Sequence, residues 1–224
     1  MSGGLQWLKK DSRGLVSVVA QDRLSGRVRM VAFADEEAVR ATLQTRQAHF
    51  YSRSRGKLWR KGEESGNVLA VHEVWADCDA DCLIYLVEPS GPTCHTGRET
   101  CFFRQVGADG SLVESSDAHA GPAFETLWEE LVRRRSATAS KSYTRSLLDK
   151  GAAKIGEKLR EEAGELADAV SGESPSRVVS EAADVLYHGL VGLLFRDVSL
   201  RDLQAEMARR FGVSGHDEKA SRSH

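Results

Sequence analysis

The amino-acid sequence predicts an α+β domain followed by an all-helical one. Short β-prone runs punctuated by turn residues fill the first half, and apolar residues at helical spacing fill the second. A stretch rich in Gly, Ser, Asp and Ala, from Gly107 to Pro122, parts them. With 224 residues the chain is long enough for two domains of ordinary size.

Val16 to Ala20 and Val28 to Phe33 read as strands, joined through a turn at Ser25-Gly26. Asp35 is the expected N-cap of a helix whose apolar stripe is Ala38, Val39 and Leu43. Further strands are expected from His49 to Tyr51, Val68 to Trp75 and Cys82 to Val87. In the second half, Phe124, Leu127, Trp128, Leu131 and Val132 follow the spacing of an amphipathic helix. Arg133 to Lys141 reads as a connecting loop. The next helix is expected from Ala152 to Val170, stopped at Ser171-Gly172, and another from Ser174-Pro175 to Phe195, with proline at its first helical position. Ser199 to Asp202 resembles a capping box that opens a last helix. These boundaries give domains at 1–108 and 123–213, a linker at 109–122 and a polar, disordered tail at 214–224.

Composition excludes several classes. A formal charge of −2 gives no electrostatic case for nucleic-acid binding. No run approaches a membrane span, and the N-terminus lacks the basic and apolar regions of a signal peptide. The expectation is therefore a cytoplasmic protein whose cysteines are free or ligate metal.

The richest chemistry lies at Asp77-Cys78-Asp79-Ala80-Asp81, followed by Cys94 and Cys101. Thiolates suit zinc, and clustered carboxylates suit Mg²⁺. Three cysteines leave a fourth zinc position open, and an open site can hold and acidify water. Their spacing, 16 and then 7 positions, is no compact zinc finger. Each could be a small core residue, as Cys82 is at the head of an apolar strand. Yet Cys78 lies among acids, Cys94 precedes His95, and Cys101 follows a polar turn. In an extended strand Asp77, Asp79 and Asp81 would share one face with Cys78 on the other, a geometry that a site shared between two subunits would relieve. Upstream, Arg53, Ser54 and Arg55, then Lys61, Glu63, Ser65 and Asn67, mix basic side chains, hydroxyls and glycines that suit phosphate, or a merely solvated surface.

His49 to Arg55, Leu58 to Glu63, Ser65 to Asn67, Asp77 to Asp81 and Cys94 to Gly97 together resemble the phosphoribosyl-AMP cyclohydrolases of histidine biosynthesis, over roughly Gly14 to Phe102. The resemblance implies a homodimeric zinc enzyme of β-grasp-like architecture. Cys78, Cys94 and Cys101 would bind zinc, drawn from both subunits, and Asp77, Asp79 and Asp81 would bind Mg²⁺. Zinc-activated water would attack C6 of the N1-ribosylated adenine and open the N1–C6 bond. His95, or else Glu63, would shuttle the proton; His95 could equally be an orienting residue. The chain departs from the family pattern at Ala34-Asp35, Leu69 and Cys82.

In the second half, Glu162 with Glu165 and Glu181 with Asp184 are spaced to share helix faces, giving a carboxylate box for a divalent cation. Exposed helix charges are the plain alternative, weakest for Glu181 and Asp184 in their apolar surroundings. Ser142-Tyr143-Thr144, Lys154-Ile155-Gly156, both acidic pairs and Leu186-Tyr187-His188 resemble phosphoribosyl-ATP pyrophosphatase, over about Phe124 to Phe211. That implies a MazG-like all-α domain, with the four carboxylates holding Mg²⁺ for cleavage to pyrophosphate and monophosphate. Arg145, Lys150 and Lys154 are candidate phosphate contacts. Arg160 stands where a small residue is expected.

The two resemblances are consecutive steps of one pathway, with phosphoribosyl-ATP and phosphoribosyl-AMP as substrates. The competing readings are a general nucleotide pyrophosphatase with a degenerate first domain, and a structural zinc module that holds RNA or a nucleotide.

Overall fold

The computed structural model describes residues 4–114, 122–136 and 142–211. The chain divides into two units, Met1–Pro122 and Ala123–His224.

The first unit is built on a six-stranded sheet. Its strands are β1 (Val16–Asp22), β2 (Val28–Ala34), β3 (His49–Ser52), β4 (Lys57–Arg60), β5 (Leu69–Ala76) and β6 (Cys82–Pro89), in the order β4-β3-β2-β1-β6-β5. Neighbours are antiparallel except β1 and β6, which run parallel from Ser17 opposite Cys82 to Asp22 opposite Val87. Strict alternation along β1 buries Val16, Val18, Ala20 and Asp22 on one face. The β1–β2 turn closes where expected, with the Asp22 carboxylate accepting from the backbone N–H groups of Leu24 and Ser25.

Helix α1 (Glu36–Thr45) is capped by Asp35, whose side chain accepts from Ala38 N at 2.8 Å. Ala38 and Val39 are buried, but Leu43 is exposed; Thr42 takes its place. The Thr42 hydroxyl can sit in the core because it donates to Ala38 O and accepts from His49 N. Phe50 and Tyr85 stack at the centre, their rings 5.9 Å apart. Leu69 is a core residue of β5, while Cys82 is half-buried at the head of β6.

β4 was not anticipated, because Lys57 and Arg60 disguise a strand whose Leu58 and Trp59 pack inward. A hairpin of β7 (Arg104–Val106) and β8 (Leu112–Glu114) follows, so β8 falls inside the segment read as linker. The rest of that segment, 115–121, lies outside the described residues.

The second unit is helical: α2 (Ala123–Arg135), α3 (Tyr143–Gly172), α4 (Pro175–Phe195) and α5 (Leu200–Arg210). α2 continues two residues beyond Arg133, where a loop was expected; Leu131 is its buried residue, while Phe124 and Val132 are exposed. α3 begins well before Ala152. Ser142 caps it, accepting from Arg145 N, and Gly151 interrupts it with φ of 76° and ψ of −172°. The segment beyond that break starts at Ala152, the expected helix start, and runs to Gly172. α4 opens on the Ser174 cap with Pro175 behind it, and the Ser199–Asp202 capping box makes both of its bonds. Leu131, Leu147, Ile155, Leu190, Val191, Leu194 and Leu200 form the core.

α4 has 21 residues and an 18-residue window of mean hydropathy 1.4, enough to cross a membrane by length and composition, contrary to expectation. It also carries Arg177, Glu181 and Asp184 and buries Glu181 and His188, groups that a bilayer core would penalise. The segments 137–141 and 214–224 fall outside the described residues, the second being the expected tail.

Candidate active sites

The acidic run does not lie along a strand. Asp77 follows the last residue of β5, and the chain turns through Ala80, at φ of 65°, into β6, with Asp77 N donating to Cys82 O. The turn removes the expected alternation of faces. Carboxylate oxygens of Asp77, Asp79 and Asp81 lie within 4.8 Å of one another, all exposed. The Asp77 carboxyl accepts from the backbone N–H groups of Cys82 and Asp81, which hold it below the usual carboxylate range. Asp81 is pushed up by the charges of Asp79 and then Asp77. An acid held up chiefly by its neighbours' charge belongs to a donor set that a hard cation would relieve.

A cleft of about 440 Å³ opens between the β4–β5 connection and the loop after β6. Arg55, Lys61, Glu63, Ser65, Asn67, His95 and both Cys94 and Cys101 line it, a convergence of predicted residues from separate segments. Lys61 Nζ donates to Asn67 O at 3.2 Å, closing the connection on itself. Gly62 permits that closure: it has φ of 86°, and a Cβ there would lie 2.6 Å from Asn67 backbone atoms. Burial lowers the Lys61 pKa, against the pull of the Cys101 and Cys94 sulfurs.

Cys94 is buried, with its Sγ accepting from the Thr96 hydroxyl at 3.1 Å. Burial pushes its thiol up, but the Thr96 hydroxyl, backbone N–H groups and the Cys101 thiol outweigh that and hold it low. Cys101 is pushed up to about 11, first by burial and then by the adjacent Cys94. The pair therefore shares one site and one readily formed thiolate, a soft donor set that fits zinc. His95 Nδ1 lies 3.9 Å from Cys94 Sγ. His95 and both cysteines also border a second cavity of about 360 Å³, walled by Phe103, Arg104 and Glu114.

Cys78 lines neither cavity; it lies in the β5–β6 turn. Arg53 stacks over Phe33 at 4.0 Å and Ser54 faces Ser52, so neither reaches the cleft within this chain. Sequence reasoning gave Thr96 no role and left out Met30, which lines the cleft; Trp59, which could pack or stack on a base by its sequence position, packs against the core and also borders the cleft. For Thr96 a signal existed, a hydroxyl two residues past a ligand-type cysteine.

In the helical unit, oxygens of Glu162 and Glu165 on α3 and Glu181 on α4 lie within 4.8 Å of one another. Asp184, exposed, is outside this group, although its charge still acts on Glu181. Glu181 is only 2% exposed, and its Oε2 has no hydrogen-bond partner. Burial raises its pKa; Arg177 opposes this, and the neighbouring acids add to it. An orphaned buried carboxylate oxygen beside two further acids fits a hard divalent cation. Two residues absent from the expected set hold these charges: Lys158 bonds Glu161 and Glu162 at 2.7 and 3.0 Å, and Arg177 bonds Glu181 and Glu165 at 2.6 and 3.1 Å. Each stands four positions before one of the acids it holds, Lys158 before Glu162 and Arg177 before Glu181, a spacing legible in the sequence.

Behind Glu162 sits an aromatic group. His188 Nδ1 bonds Asp184 O at 2.9 Å and its Nε2 meets the Tyr143 hydroxyl at 3.3 Å, while Thr144 and Tyr187 share a hydrogen bond. Of the expected phosphate contacts, Arg145 pairs with Asp149 and Lys154 with Glu157, while Lys150 is exposed. Arg160 is exposed, with its guanidinium over Gly156.

Residues 30–103 match the phosphoribosyl-AMP cyclohydrolase family and residues 124–211 the phosphoribosyl-ATP pyrophosphohydrolase family. The chain is 44% identical to the histidine biosynthesis bifunctional protein HisIE of Wolinella succinogenes, over 98% of this chain and 96% of the relative. It is 40% identical to that of Aquifex aeolicus over 91% of this chain and 98% of the relative. The chloroplastic bifunctional protein of Arabidopsis thaliana is 40% identical over 98% of this chain and 80% of its own length.

Proposed function

The chain belongs to the bifunctional HisIE family of histidine biosynthesis, and we propose that its two units perform two successive hydrolyses. It is a phosphoribosyl-ATP pyrophosphohydrolase and a phosphoribosyl-AMP cyclohydrolase. The helical unit, read as MazG-like, adds water to phosphoribosyl-ATP and releases pyrophosphate and phosphoribosyl-AMP. The β-grasp-like first unit then adds water across N1–C6 of that product and opens the ring to the formimino carboxamide ribonucleotide.

The observation that carries this reading is the convergence of Cys94, Cys101, His95, Glu63, Arg55 and Lys61 on one cleft. Cys94 and Cys101 would hold zinc with Cys78 of a second subunit, in a homodimer. Asp77, Asp79 and Asp81 would hold Mg²⁺, as would Glu162, Glu165 and Glu181 with Asp184 at their margin. When bound, zinc supplies an acidified water and Mg²⁺ neutralises phosphate charge. His95, against Cys94, takes the proton of the attacking water and returns it to the departing N1; Glu63 is the second group in reach of the cleft. Arg55 and Lys61 bind phosphate, with Ser65 and Asn67 completing the pocket wall. Arg145, Lys150 and Lys154 draw the triphosphate toward the helical site. Both reactions take place in the cytoplasm.

Incubation with phosphoribosyl-ATP, Mg²⁺ and trace Zn²⁺, with products resolved by liquid chromatography, tests the proposal. Pyrophosphate and phosphoribosyl-AMP together, followed by the ring-opened product, is the expected order. Accumulating phosphoribosyl-AMP would leave the first unit without its assigned role.

A further inference from the structure

We propose that the buried Arg29–Asp22 ion pair is the positioning device for Cys101. The proposal rests on reading Cys101 as a zinc ligand. Among the described residues, 90–103 form neither helix nor strand, so regular structure does not fix where Cys101 stands. What fixes it is the start of β2. The Thr100 hydroxyl donates to Val28 O at 2.8 Å, and Cys101 N donates to Arg29 O at 2.9 Å. Arg29 Nη1 reaches across to Glu99 O at 3.2 Å and to the Glu99 carboxylate at 3.3 Å. One residue on, Met30 lines the cleft itself.

The strand end is in turn fixed by charge. Arg29 Nη2 lies 2.6 Å and Nε 3.2 Å from Asp22 Oδ2, with the side chains 8% and 0% exposed. Asp22 also organises the β1–β2 turn through Leu24 N and Ser25 N. One guanidinium thus ties the turn, the strand and the cysteine loop together. A buried ion pair stabilises a fold no better than well-packed apolar residues would, so a planar donor bonded on both sides is better explained by geometry than by stability. Thr100, only 7% exposed, is the second tether.

Two variants of the full-length protein separate these tethers. Arg29→Lys keeps the charge opposite Asp22 but cannot also span to Glu99, and Thr100→Val removes the hydroxyl at nearly constant volume. Zinc affinity is measured by competition with a chromophoric chelator, with the thermal unfolding midpoint as the check on folding. The expected result is about 10- to 100-fold weaker zinc binding in both, the scale of losing a group that orients a metal ligand. Pyrophosphate release should be unchanged. Folded variants that bind zinc as tightly as the unaltered chain would reduce the pair to a core element. If Arg29→Lys does not fold, Asp22→Asn, which keeps the shape of the side chain bonded to Arg29 but removes its charge, decides in its place. Cys101→Ser is measured alongside: should it bind zinc undiminished, Cys101 is no ligand, and both the reading and the proposal fall.

Discussion

Arg177 Nη1 sits 2.6 Å from Glu181 Oε1, while the other oxygen of the same carboxylate has no hydrogen-bond partner. The guanidinium, about half exposed, also bonds Glu165. It occupies the mouth of the carboxylate cluster and competes with any cation that would enter. Arg177→Met is therefore expected to lower the Mg²⁺ concentration for half-maximal pyrophosphate release about two- to fivefold, the scale of one partly exposed ion pair. It should also lower the unfolding midpoint without metal. A higher Mg²⁺ requirement would instead make Arg177 a partner of the substrate.

The pH dependence of the metal-free helical unit follows from Glu181. Its folded pKa lies above the ordinary value of 4.5, so in the window just above 4.5 the folded state binds more protons than the unfolded one. Its contribution to stability falls as pH rises through that window. Below 4.5 the carboxyl is protonated in both states and the penalty vanishes. Glu181→Gln should flatten this fall in pH-resolved thermal melts, and Mg²⁺ should offset it in the unaltered protein. An identical profile in Glu181→Gln would locate the dependence elsewhere.

Cys94→Ala is expected to abolish ring opening and leave pyrophosphate release intact, because the thiol pair and the Glu162, Glu165 and Glu181 cluster lie in separate units. His95→Ala should slow ring opening by about 10²- to 10⁴-fold, the range of a lost proton shuttle, without releasing zinc. Joint loss of both activities in a folded Cys94→Ala protein would break the assignment of one reaction to each unit.

Cys78 is absent from the cleft that holds Cys94 and Cys101, so a shared site predicts complementation. Cys78→Ser and Cys94→Ser chains, each inactive in ring opening, should regain about a quarter of normal activity when unfolded together and refolded, since half the random dimers carry one intact site of two. Sedimentation showing only monomer, or no recovery in mixed dimers, would require a different third ligand.

Much of this was legible because local chemistry and global position agree. The caps at Asp35, Ser174 and Ser199 and the alternation in β1 are local signals that tertiary structure had no reason to override. Where they disagreed, sequence misled. Tyr143 to Lys150 went unread as helix, a short segment that packs through Thr144 and Leu147 ahead of the break at Gly151. Thr42 looks polar but is buried, because its hydroxyl is spent on the backbone. Asp77 to Asp81 alternate like a strand yet turn, since the backbone of Ala80 goes left-handed. Arg177 and Lys158 went unassigned because a helix-surface cation reads as solvated until the acids it faces are known to be buried.

The parallel pairing of β1 with β6 sets the order in which the first unit can be completed. β1 and β2 form a local hairpin, but β1's other edge must wait for a partner more than sixty positions later. Closing that distance is entropically slow, and the apolar edge of β1 stays open meanwhile. On the ribosome, β1 and β2 emerge long before β6, and Cys94 and Cys101 follow only after it. The two thiols that share the cleft, Cys94 and Cys101, are thus added last, onto strands already made, so a half-made chain cannot close that pair around zinc before its sheet is complete.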